Sequence, residues 1–362
     1  MKTVKVNLGK RSYRILIGNK ITASLGRILK DMELGNAAVI ITNPVIKGLF
    51  DLQLKNALQK QNIQVKFLTV PDSETSKSRE IAFRVIDRIA QFDVQRKIFI
   101  VALGGGVVGD LAGFVASVYK RGVSYIQVPT TLLAQIDSSI GGKVAIDLTV
   151  GKNLVGAFYQ PRLVFSDISF LKSLGRIEVR SGLAEAIKYG VILDKKLFTF
   201  IERNYKTLLS LNPKQLEQVV KRCSQLKAEI VGQDEKEEKG RRTILNFGHT
   251  IGHAVEAAVR YKGITHGEAI GFGMVCACEI ADRLGLLDRI SRGRIIKLIE
   301  KVGLPVRISH LNLAKVLNAL SHDKKFIAGK NRFVLPVRIG KVIIRQGIPV
   351  SMIKQVLAQG LI

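Results

Sequence analysis

Apolar positions follow two different rhythms along this chain, and the change falls near residue 172. Before it, short compact or alternating apolar runs read as strands: residues 4–8, 14–18, 37–42 (AAVIIT), 65–70, 97–103 (KIFIVAL) and 125–128. A turn joins the first two. Pro44 opens a helix, where its missing N–H costs little, and residues 78–92 carry helical spacing. Strands alternating with helices predict a largely parallel sheet covered on both faces. After 172 a period of 3.6 dominates, at 178–189, 197–208, 213–232, 249–259, 268–284 and 289–301. A late hairpin is expected from 332–337 and 341–345, turning around Gly340. The pattern therefore predicts an α/β domain over 1–172 and a C-terminal domain rich in α-helix over 173–362. The run DEKEEKGRR at 234–242 reads as a mostly solvated loop.

A chain of 362 residues, 47% hydrophobic and 24% charged, can bury a sizeable core without disulfides. Cys223, Cys276 and Cys278 show no framework spacing and read as core thiols, which suits a reducing compartment. The longest apolar run, 269–278, is too short to span a bilayer, and the N-terminus lacks a signal-peptide core. A cytoplasmic protein with no membrane partner is expected. Lys and Arg number 57 against 29 Asp and Glu, a net charge of +28. That balance favours anionic ligands. The basic residues are spread along the whole chain without a helix-turn-helix, zinc-finger or RNP pattern, so no specific nucleic-acid partner is expected.

Three stretches can carry chemistry. Gly104-Gly105-Gly106-Val107-Val108-Gly109-Asp110 follows a strand and opens an apolar helix. Glycines there let a phosphate approach the backbone N–H groups of a helix N-terminus. It departs from the dinucleotide fingerprint, because no acidic residue stands about 20 positions further on. Residues 129–143 (PTTLLAQIDSSIGGK) combine hydroxyls, a carboxylate, paired glycines and a lysine, which suits a phosphorylated polyol. Finally, three of the five histidines, His249, His253 and His266, fall within eighteen residues. His249 and His253 share a helix face at i, i+4, a common metal arrangement. The peptidase pattern H-E-x-x-H is absent because Thr250 takes the Glu position. Spacing alone suggests His249 and His253 as ligands with one carboxylate, and leaves Glu185, Glu256 and Glu268 open. Two classes remain: a metal- and dinucleotide-dependent enzyme for a small anionic substrate, or a basic, metal-stabilised polyanion binder. A phosphate-type loop beside a histidine cluster favours the enzyme.

Taken together, the motifs closely resemble the 3-dehydroquinate synthase family of sugar-phosphate cyclases. The matching stretches are GGGVVGDLAGFVA (104–116), VPTTLLAQIDSSIGGK (128–143), GKNLVGAFYQP (151–161), SGLAEAIKYG (181–190), LNFGHTIGHAVE (245–256), HGEAIGFGM (266–274) and DKK (323–325). The resemblance implies an NAD-binding α/β domain, a helical domain, a site in the cleft between them, a homodimer, and one divalent metal, zinc or cobalt. The implied reaction converts 3-deoxy-D-arabino-heptulosonate 7-phosphate, an anionic sugar phosphate, to 3-dehydroquinate and phosphate. Its implied steps are oxidation by NAD, phosphate elimination, re-reduction, ring opening and aldol closure.

The resemblance also implies roles. The metal ligands would be Glu185, His249 and His266, which frees His253 for proton transfer. Lys143, Lys188, Lys227, Arg242 and Lys324 would meet the phosphate and carboxylate, with Asn153 and Asn246 donating hydrogen bonds and Asp137 taking substrate hydroxyls. Arg121 (YKRG, 119–122) would reach the neighbouring subunit's phosphate. On the NAD side stand Asn43, Glu74, Lys77, Gly104, Gly105, Gly106, Asp110, Thr130, Thr131, Lys152 and Ser173. The chain departs from the family in Ser173-Leu174-Gly175, where T-L-P is usual, and in one extra residue between Lys227 and Arg242. Other sugar-phosphate cyclases, the 2-deoxy-scyllo-inosose and 2-epi-5-epi-valiolone synthases, share the fold, NAD and metal. A glycerol-dehydrogenase-like enzyme is a more distant alternative.

Overall fold

The computed structural model describes residues 1–259, 263–309, 311–321 and 331–360. Lys324 and the rest of DKK lie outside the described residues. The chain divides into two compact units, Met1–Ser173 with Leu216–Lys236, and Leu174–Gln215 with Glu237–Ile362. The segment Leu216–Lys236, placed in the second domain by the sequence pattern, groups with the first unit.

The first unit holds β1 (Lys2–Val6), β2 (Tyr13–Gly18), α1 (Leu25–Asp31), β3 (Ala37–Thr42), α2 (Pro44–Gln59), β4 (Gln64–Thr69), α3 (Arg79–Phe92), β5 (Ile98–Gly104), α4 (Gly106–Val118) and β6 (Tyr125–Pro129). A hairpin of β7 (Lys143–Leu148) and β8 (Gly151–Phe158) follows, then β9 (Leu163–Asp167). Seven strands form one sheet in the order β1-β2-β9-β6-β5-β3-β4. Only the β1–β2 pair is antiparallel. The expected parallel sheet is therefore present. β3 and β5 are buried at every position, which explains their unbroken apolar runs. Ala37, Val39 and Ile41 pack with residues of α3, α4 and β7, whereas Ala38 and Ile40 pack with α1 and α2. Strand pleat thus sorts one short run onto two cores.

Sheet order reverses between β3 and β5. The chain leaves β3 towards β4 and leaves β5 towards β6, so a crevice opens beyond their carboxyl ends, the usual ligand position in such sheets. Asn43 and Gly104–Gly106 stand at those two ends.

The second unit is built from α5 (Arg176–Ile192), α6 (Lys195–Leu209), the start of α7 (Pro213–Gln233), α8 (His249–Ala258), α9 (His266–Arg283), α10 (Arg289–Lys301), α11 (Leu313–Ser321) and α12 (Val350–Gly360). β10 (Arg332–Arg338) and β11 (Lys341–Gln346) pair as the expected hairpin, with Gly340 at φ +92°. α9 is the central helix and touches α5, α8, α10, α12 and β10. Cys276 and Cys278 are buried on it, and burial pushes both thiols far up in pKa, as core cysteines require.

The charged run at 234–242 is exposed over most of its residues, as expected, and parts of it also make specific contacts. Glu235 takes both arms of Arg11, at 2.6 and 3.1 Å, Asp234 is buried, and Glu237 meets Arg242 at 3.1 Å. The Arg11–Glu235 contact spans 224 positions of sequence, which a local charge pattern does not reveal.

One buried carboxylate ties the sheet's edge to its centre. Asp167, at the end of β9, accepts from the backbone N–H groups of Lys20, Ile21, Thr22 and Ser169 and from the hydroxyls of Thr22 and Ser169, at 2.6–3.0 Å. Removing it strands several buried donors at once. Asp167→Ala is expected to lower the unfolding free energy by about 3 kcal/mol or more, read from the urea midpoint at unchanged slope.

Candidate metal centre and cofactor cradle

Glycines decide how closely three helices of the second unit meet. A Cβ on Gly267 would lie 2.2 Å from the Cα of Ser181, so α9 rests directly on α5. A Cβ on Gly273 would lie 1.9 Å from the Gly248 carbonyl oxygen, and one on Gly252 3.0 Å from that of Ala269. α8 and α9 therefore touch backbone to backbone. Gly248 itself has φ +79°, a left-handed turn that ends where α8 begins. His249 and His266 are the first residues of α8 and α9, and Glu185 lies one turn beyond Ser181 on α5.

The result is one group of ligand atoms. Glu185, His249 and His266 each offer an atom, all within 4.8 Å of one another. Glu185 Oε1 is 3.4 Å from His249 Nε2 and 3.5 Å from His266 Nε2. The other ring nitrogens are occupied. His249 Nδ1 lies 3.1 Å from the Phe247 carbonyl oxygen, and His266 Nδ1 lies 3.4 Å from Glu256 Oε1. Each ring thus turns Nε2 towards Glu185, which is how second partners orient metal-binding histidines. Two imidazoles and one carboxylate are the donor set of a catalytic zinc site with an open position, so these residues fit a divalent cation.

Spacing alone paired His249 with His253. The structure instead groups His249 with His266. His253 is exposed, its ring 5.2 Å from that of His249 and 6.3 Å from that of His266. The three open glutamates also separate. Glu185 faces both rings, Glu256 holds His266, and Glu268 closes a capping box with Thr265. Thr265-x-x-Glu268 was a readable cap signal, and His249, His253 and Glu256 at i, i+4, i+7 a readable face.

Around this centre, Lys188 forms an ion pair with Glu185, both fully buried one turn apart on α5. Arg242 is buried and pairs with Glu237, while Asn246 ends the 3-10 turn leading to α8.

In the first unit, α4 starts at Gly106 behind Gly105, which supplies no side-chain cap. The amide donors of its first turn are free of a competing side chain, as a phosphate site needs. The glycines there are required by proximity rather than by φ. A Cβ on Gly105 would meet Thr131 at 3.1 Å, and one on Gly106 would meet Ser138 Oγ at 3.1 Å. The buried hydroxyls of Thr42, Thr130 and Ser138 have no hydrogen-bond partner among the described residues. This cradle of small residues and open donors fits a dinucleotide pyrophosphate.

Beside it a charged cluster assembles. Lys77 Nζ lies 2.8 Å from Asp110 Oδ2, 3.8 Å from Glu74 Oε1, and hydrogen-bonds Asn153 Oδ1. Lys152 Nζ stands 3.4 Å from Glu74. Burial alone would lower the Lys77 pKa, but Asp110, with Glu74 and Asp147, outweighs it and raises it. Asn153, expected on the substrate side, thus contacts Lys77, expected on the NAD side. Asn43 caps α2 through Oδ1 and donates to Asp72, and Ser173 Oγ donates to the Phe170 carbonyl. Thr131 Oγ1 accepts from Ala134 N. Asp137, in a π-helical turn at Ala134–Ser138, pairs with Lys227 of α7. Lys143 is exposed at the start of β7. Arg121 is exposed on a turn where Lys120, Arg121 and Gly122 all have positive φ.

Residues 67–181 match the family model described as 3-dehydroquinate synthase N-terminal, and residues 182–326 the one described as 3-dehydroquinate synthase C-terminal. A 3-dehydroquinate synthase of Pelotomaculum thermopropionicum is 45% identical over 99% of this chain and 97% of its own. The chain belongs to the 3-dehydroquinate synthase family. A second family member, from Rippkaea orientalis, is 44% identical over 98% of this chain and 97% of its own. Among solved structures, a 2-deoxy-scyllo-inosose synthase complexed with carbaglucose-6-phosphate, NAD+ and Co2+ matches with a TM-score of 0.91 at 29% identity, covering 99% of this chain and all of that one. A 2-epi-5-epi-valiolone synthase from Streptomyces hygroscopicus with NAD+ and Zn2+ bound matches at 0.89 and 28%, over 98% of each chain. A glycerol dehydrogenase from Schizosaccharomyces pombe shares the fold, at a TM-score of 0.70, 16% identity and coverage of 96% and 89%.

Without a cation, burial tends to lower the His266 pKa, but Glu185 and Glu256 outweigh it and push it up to about 10. In the metal-free protein this proton stabilises the fold fully below the unfolded value near 6.5, and the contribution is lost as pH rises through about 10. A cation at Nε2 must displace that proton. Metal affinity is therefore expected to climb from neutral pH towards 10 with one proton released per ion, measured by calorimetry in buffers of different ionisation enthalpy. Glu256→Gln is expected to weaken metal binding about 10- to 100-fold in the same titration.

Proposed function

We propose that this chain acts as a 3-dehydroquinate synthase, a carbon–oxygen lyase that converts 3-deoxy-D-arabino-heptulosonate 7-phosphate to 3-dehydroquinate and phosphate, with NAD and one divalent cation bound. The observation that carries the reading is the convergence of Glu185, His249 and His266, with His253 beside them, in a chain of this family. The product belongs to the shikimate route to chorismate and the aromatic amino acids.

Glu185 and the Nε2 atoms of His249 and His266 hold the cation, with zinc the first choice and cobalt an alternative. When bound, the cation supplies Lewis acidity towards substrate oxygens and NAD supplies a hydride acceptor that is regenerated each turnover. His253 is exposed next to the ligand rings, and it moves the proton of the substrate hydroxyl to be oxidised. Asp137, held by Lys227, accepts hydrogen bonds from substrate hydroxyls. Lys143, Lys188, Arg242 and Lys324 bind the phosphate and the carboxylate, and Asn153 and Asn246 donate hydrogen bonds. Gly104, Gly105 and Gly106 admit the pyrophosphate to the first turn of α4. Asn43, Glu74, Lys77, Asp110, Thr130, Thr131, Lys152 and Ser173 complete the NAD side. The working form is a homodimer in which Arg121 serves the neighbouring copy. No described helix is long and apolar enough to cross a membrane.

Neutral-sugar cyclases share this centre, so substrate choice rests on the carboxylate. Arg242 and Asn246 favour an acidic heptulosonate over glucose 6-phosphate or sedoheptulose 7-phosphate. The test is phosphate release by metal-loaded protein with substoichiometric NAD on all three substrates. Many turnovers per NAD on the heptulosonate alone, without NADH build-up, are expected. Net NADH formation would indicate a dehydrogenase, and release from a neutral sugar phosphate another cyclase branch. His249→Ala is expected to lose metal and turnover together. His253→Ala should keep a full equivalent of metal, by atomic absorption, while turnover falls about 10²- to 10⁴-fold.

A further inference from the structure

The turn that carries Arg121 has an uncommon backbone shape. Lys120 (φ +49°), Arg121 (φ +62°) and Gly122 (φ +122°) follow one another at positive φ, and the first two carry a Cβ that disfavours it. Such a shape persists only where its surroundings fix it. The Arg121 side chain does not fix it. It is exposed and makes no hydrogen bond or ion pair among the described residues.

The fixing contacts come from its neighbours. Asp93, at the end of α3, has a side chain only 3% exposed. Its Oδ2 accepts from Tyr119 Oη at 2.9 Å and pairs with Lys120 Nζ at 2.5 Å. Burial, with the Asp93 carboxylate beside it, pushes the Tyr119 phenol up to about 12, so the hydroxyl keeps its proton to donate. Beyond the turn, Val123 N donates to the Ala116 carbonyl at 2.9 Å, and Tyr159 Oη donates to the Val123 carbonyl at 2.9 Å. The Tyr159 ring is itself stacked on Tyr125, with centroids 5.6 Å apart. The chain is therefore gripped on both sides of Arg121, and Arg121 alone is left open.

We propose that Asp93 is a positioning residue for Arg121: by gripping Tyr119 and Lys120 from α3, it holds the turn in its left-handed shape and keeps the guanidinium presented for an anion. This rests on the reading that Arg121 serves the phosphate site of the neighbouring copy, and adds what holds it in place. An ion pair to a lysine 60% exposed gains little stability by itself, so fold stability is a weak reason to bury a carboxylate here. A preset turn does have a use in binding. Only the arginine side chain remains to be ordered when a phosphate arrives, and the backbone is already in place.

The test is a double-mutant cycle in the full, metal-loaded chain, read as kcat/KM for phosphate release from 3-deoxy-D-arabino-heptulosonate 7-phosphate. Arg121→Ala is expected to lower kcat/KM about 10- to 100-fold, as loss of a charged hydrogen bond does. Asp93→Asn is expected to lower it about 10-fold when Arg121 is present, and by less than about twofold in the Arg121→Ala background. Tyr119→Phe keeps the ring, removes only the hydroxyl, and runs the same cycle should Asp93→Asn misfold. The same dependence on Arg121 is expected. A role confined to folding would cost as much with Arg121 absent as with it present. That outcome, or no loss with Arg121 present, overturns the positioning role and leaves Arg121 its own. An Arg121→Ala variant with unchanged kcat/KM overturns both.

Discussion

The backbone contact of α9 with α5 and α8 is the constraint on which the metal centre depends. At Gly267 and Gly273 there is no room for a methyl group. A side chain at either crossing would push the helices apart, and with them the three ligand atoms, which lie within 4.8 Å of one another. The same closeness puts His249 and His266 at helix starts, where their rings leave the helix cylinder and turn towards Glu185. Packing is thus what makes a coordination geometry out of three residues spread over eighty positions.

In both units several buried charges stand beside an opposite one. Lys188 meets Glu185, Lys227 meets Asp137, Lys77 meets Asp110, and Arg242 meets Glu237. Each pair contains a residue expected to contact substrate or NAD. Pairing orients these groups beforehand, so binding an anion requires less reorganisation. The large positive balance then acts at longer range, drawing anionic substrates towards basic surface.

Much of the fold was legible because its signals are local. The runs at 37–42 and 97–103 are too short and too apolar for anything but buried strands, and both occur as such. Pro44 does open α2, and Gly340 does turn the last hairpin. The hairpin β7–β8 was not legible from alternation, because β8 lacks a buried face to impose one. The charged run at 234–242 is mostly exposed, as its composition suggested, but the pairing of Glu235 with Arg11 across 224 positions had no local signal.

By itself the sequence determined the alternation of strands and helices, the glycine turn before α4, and the residues from which a metal site could be drawn. Its motifs also determined the family. Spacing alone pointed to His253 rather than His266 and left three glutamates undivided, while the family resemblance implied Glu185, His249 and His266. Tertiary structure brings that last set together, because coordination depends on distances between side chains on different helices. Periodicity reports which face of one helix a residue occupies, and is silent about which second helix that face will meet.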